Sequence, residues 1–304
     1  MGVMGTDVAK DASDVILMDD DFSSIVEGIK CGRTIFDNLT KTIAYTVTHL
    51  VPETVPVLLS LAFDFPTTLP SLAILAIDCG TELAPAVSFA YEPSESDVMS
   101  RPPRNSKRDR LVSLKVAMYC MFQAGLISTL CCFMSFLLVI KFYGIDVNRL
   151  IGSSSSYFSS GSDNWIVSGG SGCDQLTPVP ANCVYFTDSQ QVDINLRAAC
   201  AYYATLTACQ VLHIFACKTR SISLLQHGIF NNVVMIYGIL IEISLMCLFI
   251  FTPKMNELLV GKPFEGVYWL LLPIPGVIIL ILTEVRKYAA RNNPKGFVAT
   301  YLNW

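Results

Sequence analysis

Six apolar stretches run through this chain, at roughly 43–63, 69–91, 116–142, 197–217, 232–251 and 267–284. Each is close to or beyond the roughly 20 residues that a helix needs to cross a hydrocarbon core about 30 Å thick. Lipid offers no partners to backbone N–H and C=O groups, so runs of this length that cross it are confined to helices. The fold class that follows is an all-α transmembrane bundle of six helices. Composition agrees: 52% of the 304 residues are hydrophobic and 15% are charged, whereas a soluble domain carries about 25% charged residues.

The connections between the stretches orient them. An even number of spans places both termini on one side, and no secretory signal is legible in the opening "MGVMGTDVAKDASDVILMDDDF". "RPPRNSKRDRLVSLK" carries six Lys/Arg, "CKTRS" two and "EVRKYAARNNPK" four, whereas "DFPTT" has none and residues 143–196 have only Arg149. The positive-inside rule makes the basic loops and both termini cytoplasmic in a multi-pass membrane protein. The net charge of −4 then says nothing about partners, and the basic loop is a topology signal, not a nucleic-acid surface. Lipid is the expected partner; nucleic acid is not.

Of the eleven cysteines, nine lie in spans or on the cytoplasmic side, where cysteine behaves as a small hydrophobe. Cys173 and Cys183 fall in the outside loop, where an oxidising compartment permits a disulfide. Bridged and free states both stay open, and no Cys/His spacing points to zinc.

Residues 1–22 read as a fragment of an α/β domain, with "DVILMDD" as a short strand. From 23 to 42 the pattern is helical, with Ile25, Ile29, Ile35, Phe36 and Leu39 near i, i+3/i+4 spacing and a cap at Asp21 or Ser23. No strong breaker separates this stalk from the first span, so a cytoplasmic element is coupled directly to a membrane helix. Residues 43–304 form the membrane domain, interrupted by a Ser/Gly-rich outside loop at about 144–193.

The spans hold groups that lipid does not tolerate: His49 and Glu53 in the first, Asp78 and Glu82 in the second, Gln123 in the third, Gln210 and His213 in the fourth, Glu242 in the fifth. Four unpaired carboxylates at mid-bilayer cost roughly 10 kcal/mol even on lenient insertion scales. That sum rivals the stability of a whole domain, so the acids must be protonated, paired or facing a cation. Pro52 and Pro56 remove N–H donors on either side of Glu53, and Gly80 between Asp78 and Glu82 permits the second span to unwind. Broken membrane helices line cavities, and their freed carbonyls coordinate cations. Carboxylates with carbonyls make a hard-oxygen site suited to alkali ions or Ca²⁺. The other reading of Asp78 and Glu82, as i, i+4 neighbours, is that they only bridge helices by hydrogen bonds; Gln123 and Gln210 alone read as interhelical glue.

At "DVAKDASDVILMDDDFSSIV", "GRTIFDNLTKTIAYTVT", "VPETVP", "IDCGTELAPAVSFAYEPSESDVM", "RPPRNSKRDRLV", "CKTR" and "EVRKYAARNNPKGF" the chain resembles P-type cation ATPases, most of all the Na,K- and H,K-ATPase α-subunits. The resemblance implies a plasma-membrane enzyme that couples aspartyl-phosphate formation to countertransport of monovalent cations, with the last six of its ten spans present here. Residues 1–22 would be the end of its phosphorylation domain. The family's DKTGT and TGDGVND motifs are absent from the sequence. No catalytic residue is therefore assigned, ATP and Mg²⁺ belong to the full-length pump and not to this chain, and the missing N-terminal part is an expected partner. On the same resemblance, Glu53, Asp78 and Glu82 fall on the central acidic cation ligands, Glu82 replacing an Asp. Tyr45, Thr81, Gln210 and Glu242 match positions around the third sodium site. His49 and Leu50 stand where sodium pumps have Ser-Asn, and His213 where they have an Asp; H,K pumps have a Lys at the position of His49. Both histidines are thus modulators of the cation site, and the expectation is fewer bound cations per cycle than in a sodium pump. A β-type subunit would bind through the outside loop, although the family's contact motif there is not recognisable. A Ca²⁺ pump, to which "GTDVAKDASD" is also similar, and a non-catalytic membrane transport module are the alternatives.

Overall fold

The computed structural model describes every residue except 1, 20, 104–109, 154–157, 159–166, 169–183, 294–295 and 300–304. Its helices are α1 (Asp7–Asp11), α2 (Ser23–Phe63), α3 (Ser71–Tyr91), α4 (Leu114–Phe142), α5 (Asp188–Cys217), α6 (Leu224–His227), α7 (Val233–Phe251), α8 (Met255–Leu259) and α9 (Gly266–Asn292). Among the described residues, α2, α3, α4, α5, α7 and α9 are long and apolar enough to cross a membrane. They coincide with the six apolar stretches. A two-residue antiparallel pairing of β1 (Val167–Ser168) with β2 (Val184–Tyr185) sits in the connection between α4 and α5.

The bundle is organised around α5. Its apolar window is 78% buried, against 28% in α2, α7 and α9, so α5 is the central helix and the others keep a broad lipid-facing surface. Sequence explains the position: Ala198, Ala199, Cys200, Ala201 and Ala204 are small and almost fully buried, and small residues let helix backbones approach closely where no hydrophobic effect drives them together. α4 and α9 are the helices packed most extensively against α5.

Helix boundaries depart from the apolar runs in two places. The fourth span begins at Asp188 rather than 197, because Thr187 and Gln190 form a capping box whose reciprocal bonds satisfy exposed N–H groups. Residues 188–193 therefore belong to the helix and not to the loop. α9 runs past 284 to Asn292, and it carries Lys287 inward, where its ammonium donates to Ala216 O (3.1 Å), Thr219 Oγ1 (2.8 Å) and Glu284 Oε1 (3.0 Å). The strand expected at "DVILMDD" is not formed among the described residues; a strand needs a ladder partner, and none of the described residues supplies one. Cys173 and Cys183 lie outside the described residues.

Residues 23–42 and the first span are one helix: α2 is 41 residues long, about 60 Å at 1.5 Å per residue. Asp21 Oδ1 accepts the N–H of Ser23 at 2.9 Å at its start. Lower on the stalk a buried ionic network ties α2 to its neighbours. Lys41 Nζ lies 2.9 Å from Glu95 Oε1, both side chains about 1% exposed. Arg101 reaches Glu95, Asp97 and Asp37, and Arg220 reaches Asp37. Burial opposes ionisation of Glu95, yet the Lys41 ammonium, the Arg220 N–H and the Arg101 guanidinium outweigh it and hold its pKa at about 2.

Candidate cation site

Each proline of α2 removes one rung of the helix ladder. Pro56 has no N–H to offer the carbonyl of Pro52. The structure fills that gap from outside: Tyr202 of α5 donates its hydroxyl to Pro52 O at 2.6 Å. Glu53 follows directly and is 3% exposed. The missing rung in α2 is thus supplied by a side chain from the central helix.

α3 is broken differently. Residues Ile77–Thr81 form a π-turn, and the N–H of Glu82 reaches Ile77 O at 2.9 Å, five residues back. Such a turn inserts one extra residue and re-aims the side chains around it. Gly80 allows α7 to come close, since a Cβ there would meet the Phe249 ring at 3.3 Å. The i, i+4 alignment of Asp78 with Glu82 expected for a regular helix is therefore altered.

Together the two breaks bring one oxygen each of Glu53, Asp78 and Glu82 within 4.8 Å of one another. Glu53 and Glu82 are buried and Asp78 is exposed. Two carboxylates at that separation repel by about 3.5 kcal/mol at an effective dielectric constant of about 20. Protons or a cation must offset three such repulsions. Glu53 Oε1 and Glu82 Oε1 have no hydrogen-bond partner among the described residues, so lone pairs remain available for a cation.

A second set of buried polar groups lies in the same interior. Glu242 of α7 is fully buried, and among the described residues neither of its carboxylate oxygens has a hydrogen-bond partner; the same holds for both amide atoms of Gln210 and the hydroxyl of Tyr45. Glu242 lies within electrostatic reach of Tyr45 and Glu82. Thr81 is also fully buried, its hydroxyl donating to Ile77 O at 3.3 Å. Tyr203, which the sequence did not flag, presents another buried hydroxyl with no hydrogen-bond partner among the described residues.

The two histidines meet. His49 Nδ1 is 3.5 Å from Glu82 Oε1, His49 Nε2 is 3.2 Å from His213 Nδ1, and His213 Nε2 is 3.0 Å from the Tyr119 hydroxyl and 3.2 Å from Cys217 Sγ. One proton assignment fits the line: Tyr119 O–H donates to His213 Nε2, His213 Nδ1–H donates to His49 Nε2, and His49 Nδ1–H is left near Glu82 Oε1 without forming a hydrogen bond to it. Two imidazolium rings at 3.2 Å would repel, so the pair accommodates at most one extra charge. Both rings pack on Tyr45, at centroid distances of 4.7 and 5.9 Å.

Sequence reasoning named His49 and His213 as modulators without placing them against each other; the structure puts Glu82 beside His49 and His213 beyond it. It missed Tyr202, Tyr119 and Arg286, whose Cζ sits 4.4 Å from the centroid of the Tyr119 ring. A buried tyrosine carries no periodic signal, and Arg286 was counted with the basic tail. Gln123 falls in a second π-turn, Tyr119–Gly125, for which Gly125 was the one available hint.

The family described as "Cation transporting ATPase, C-terminus" matches residues 66–289. The sodium/potassium-transporting ATPase subunit alpha of Hydra vulgaris is 36% identical over 302 residues, covering 98% of this chain and 28% of that protein. Subunit alpha-2 of Rattus norvegicus and subunit alpha-3 of Homo sapiens are each 35% identical over 301 residues, with the same coverage of 98% and 28%. The chain thus spans 28% of the length of these curated relatives.

Proposed function

The chain belongs to the cation-transporting ATPase family as a C-terminal part, and from that premise we propose that it is the cation-binding membrane portion of an ATP-driven pump exchanging monovalent cations, of the Na⁺/K⁺ or H⁺/K⁺ type. The observation that carries this reading is the convergence of Glu53, Asp78 and Glu82 at two broken helices, with buried oxygens lacking partners. A dehydrated monovalent cation there offsets carboxylate repulsion and regains part of its lost hydration from protein oxygens. Tyr45, Thr81, Gln210, Glu242 and the newly noted Tyr203 extend the oxygen-rich interior toward α7.

In this reading ATP and Mg²⁺ act in a part of the pump beyond this chain, residues 1–22 close its phosphorylation domain, and residues 23–42 are the stalk that transmits its motion. α2 is continuous from Ser23 to Phe63, so displacing the stalk moves the backbone that carries Glu53. The proline break is the place where that movement bends the helix. The basic loops and both termini face the cytoplasm of a plasma membrane, and a β-type subunit meets the outside loop.

The His49–His213 pair takes the place of one cation. Its rings fill space beside Tyr45 and bring at most one positive charge where the resemblance places an acidic ligand. The proposed pump therefore binds fewer cations per cycle than a sodium pump, and His213→Asp, which returns an acid, restores the extra ion.

The test is turnover of the pump containing this chain as a function of cation concentration. Glu53→Gln, Asp78→Asn and Glu82→Gln each remove ligand charge with little change of shape, and each raises the cation concentration for half-maximal turnover about tenfold, the effect of roughly 1.4 kcal/mol. Unchanged cation dependence in all three variants would leave the acids as helix bridges and sink the reading.

A further inference from the structure

Away from the acid trio, where α2 meets the entry of α4, lies a cavity of about 770 Å³. Its wall is strongly basic: Arg33, Arg101, Arg110, Lys115 and Arg220 line it, with Asp37 as the lining acid. Arg101 and Arg220 are both engaged by Asp37. Arg33 spends its Nη1 on two backbone carbonyls, Val98 O and Arg101 O, each at 2.9 Å, which fixes the guanidinium without neutralising it. Among the described residues no carboxylate pairs with Arg33, Arg110 or Lys115. The cavity therefore presents a fixed arginine and two exposed basic side chains with uncompensated charge.

Apolar side chains, Phe36, Leu111 and Val116 among them, line much of the rest of the wall, with Thr40 and Ser113. Its depth is set by α4, which is capped by Ser113 accepting from the Val116 N–H at 3.3 Å and enters its apolar run at once. The cavity thus lies between the stalk part of α2 and the apolar start of α4, on the side that carries the basic loops. A small soluble anion has no use for the apolar half, and an uncharged lipid none for the basic half.

We propose that this cavity binds one anionic phospholipid, its phosphate headgroup held by Arg33, Arg110 and Lys115 and the start of an acyl chain lying on Phe36, Leu111 and Val116. The assignment rests on the membrane-spanning fold and is independent of the transport reading. A lipid bound there bridges the stalk of α2 to the first turn of α4.

Native mass spectrometry of the purified chain, exchanged into mixtures of phosphatidylcholine and phosphatidylglycerol, tests it. The expected result is one retained phosphatidylglycerol, preferred over phosphatidylcholine. Arg110→Ala with Lys115→Ala lowers that preference about thirtyfold, from the usual contribution of basic side chains at an anionic surface. The charge-keeping Arg110→Lys with Lys115→Arg retains it, which separates charge from folding. Equal retention of both lipids, or retention unchanged by the alanine pair, overturns the proposal. Displacement of the lipid by glycerol phosphate at matched concentration also overturns it, because the site would then read a free phosphate and not a lipid.

Discussion

At the scale of single residues, the account depends on buried charges that are compensated and buried charges that are not. Lys41 and Glu95 illustrate the first kind: a pair at 2.9 Å, shielded from water and tied further to Arg101 and the Arg220 N–H. Removing one partner of such a pair costs about 3–5 kcal/mol, because the other charge is left buried alone. Lys41→Met is thus expected to lower the thermal unfolding midpoint sharply, and Lys41→Met with Glu95→Gln to recover part of the loss. The pH dependence has a definite sign. Glu95 has a pKa of about 2 in the fold against the ordinary 4.5, so its stabilisation is full above about pH 4.5 and is lost as pH falls toward 2. Unfolding midpoints in detergent between pH 6 and pH 3, compared with Glu95→Gln, measure this: the native chain loses stability over that window and the variant loses less. Glu53, Glu82 and Glu242 are the second kind, since no basic residue other than His49 is brought to them among the described ion pairs.

At the scale of elements, α2 lacks a rung and α3 carries a π-turn at the candidate site, and a neighbouring helix packs at each. Tyr202 replaces the hydrogen bond that Pro56 denies to Pro52 O. Tyr202→Phe leaves that carbonyl unpartnered, an effect of about 1–3 kcal/mol, and a lowered unfolding midpoint together with weaker cation binding is the expected outcome. Weaker stability without any change in cation binding would show that the hydroxyl serves the helix and not the site. Gly125 is a second contact of this kind: a Cβ there would meet Val51 Cγ2 at 2.8 Å and crowd Cys120 O. Gly125→Val should cost about 1–3 kcal/mol through overpacking between α4 and α2, read as a fall in the same midpoint. The prolines and Gly80 marked both breaks in the sequence, because each changes what the backbone itself can do. What filled the breaks was not legible. Tyr202 lies about 150 residues from Pro52, and a π-turn differs from an α-turn by one residue that no hydrophobic period reveals.

At the scale of the whole molecule, the six spans were legible because bilayer thickness fixes their length. The ends were less so, since caps such as Thr187–Gln190 and inward-turned cations such as Lys287 extend helices past the apolar run. The acid trio was legible as a set of costly residues, and its geometry only once α2 and α3 were packed together. The meeting of His49 with His213 could not be read from a separation of 164 residues. The central claim is that this packing makes a monovalent-cation site. Equilibrium binding of radioactive rubidium to the chain in lipid nanodiscs, with Glu53→Gln alongside and K⁺ and Ca²⁺ as competitors, tests it most directly. The account predicts saturable binding that K⁺ displaces and Ca²⁺ at equal concentration does not, weakened about tenfold or more in the variant by loss of a charged ligand. Rubidium binding that is unsaturable, or equal in the native chain and Glu53→Gln, contradicts it.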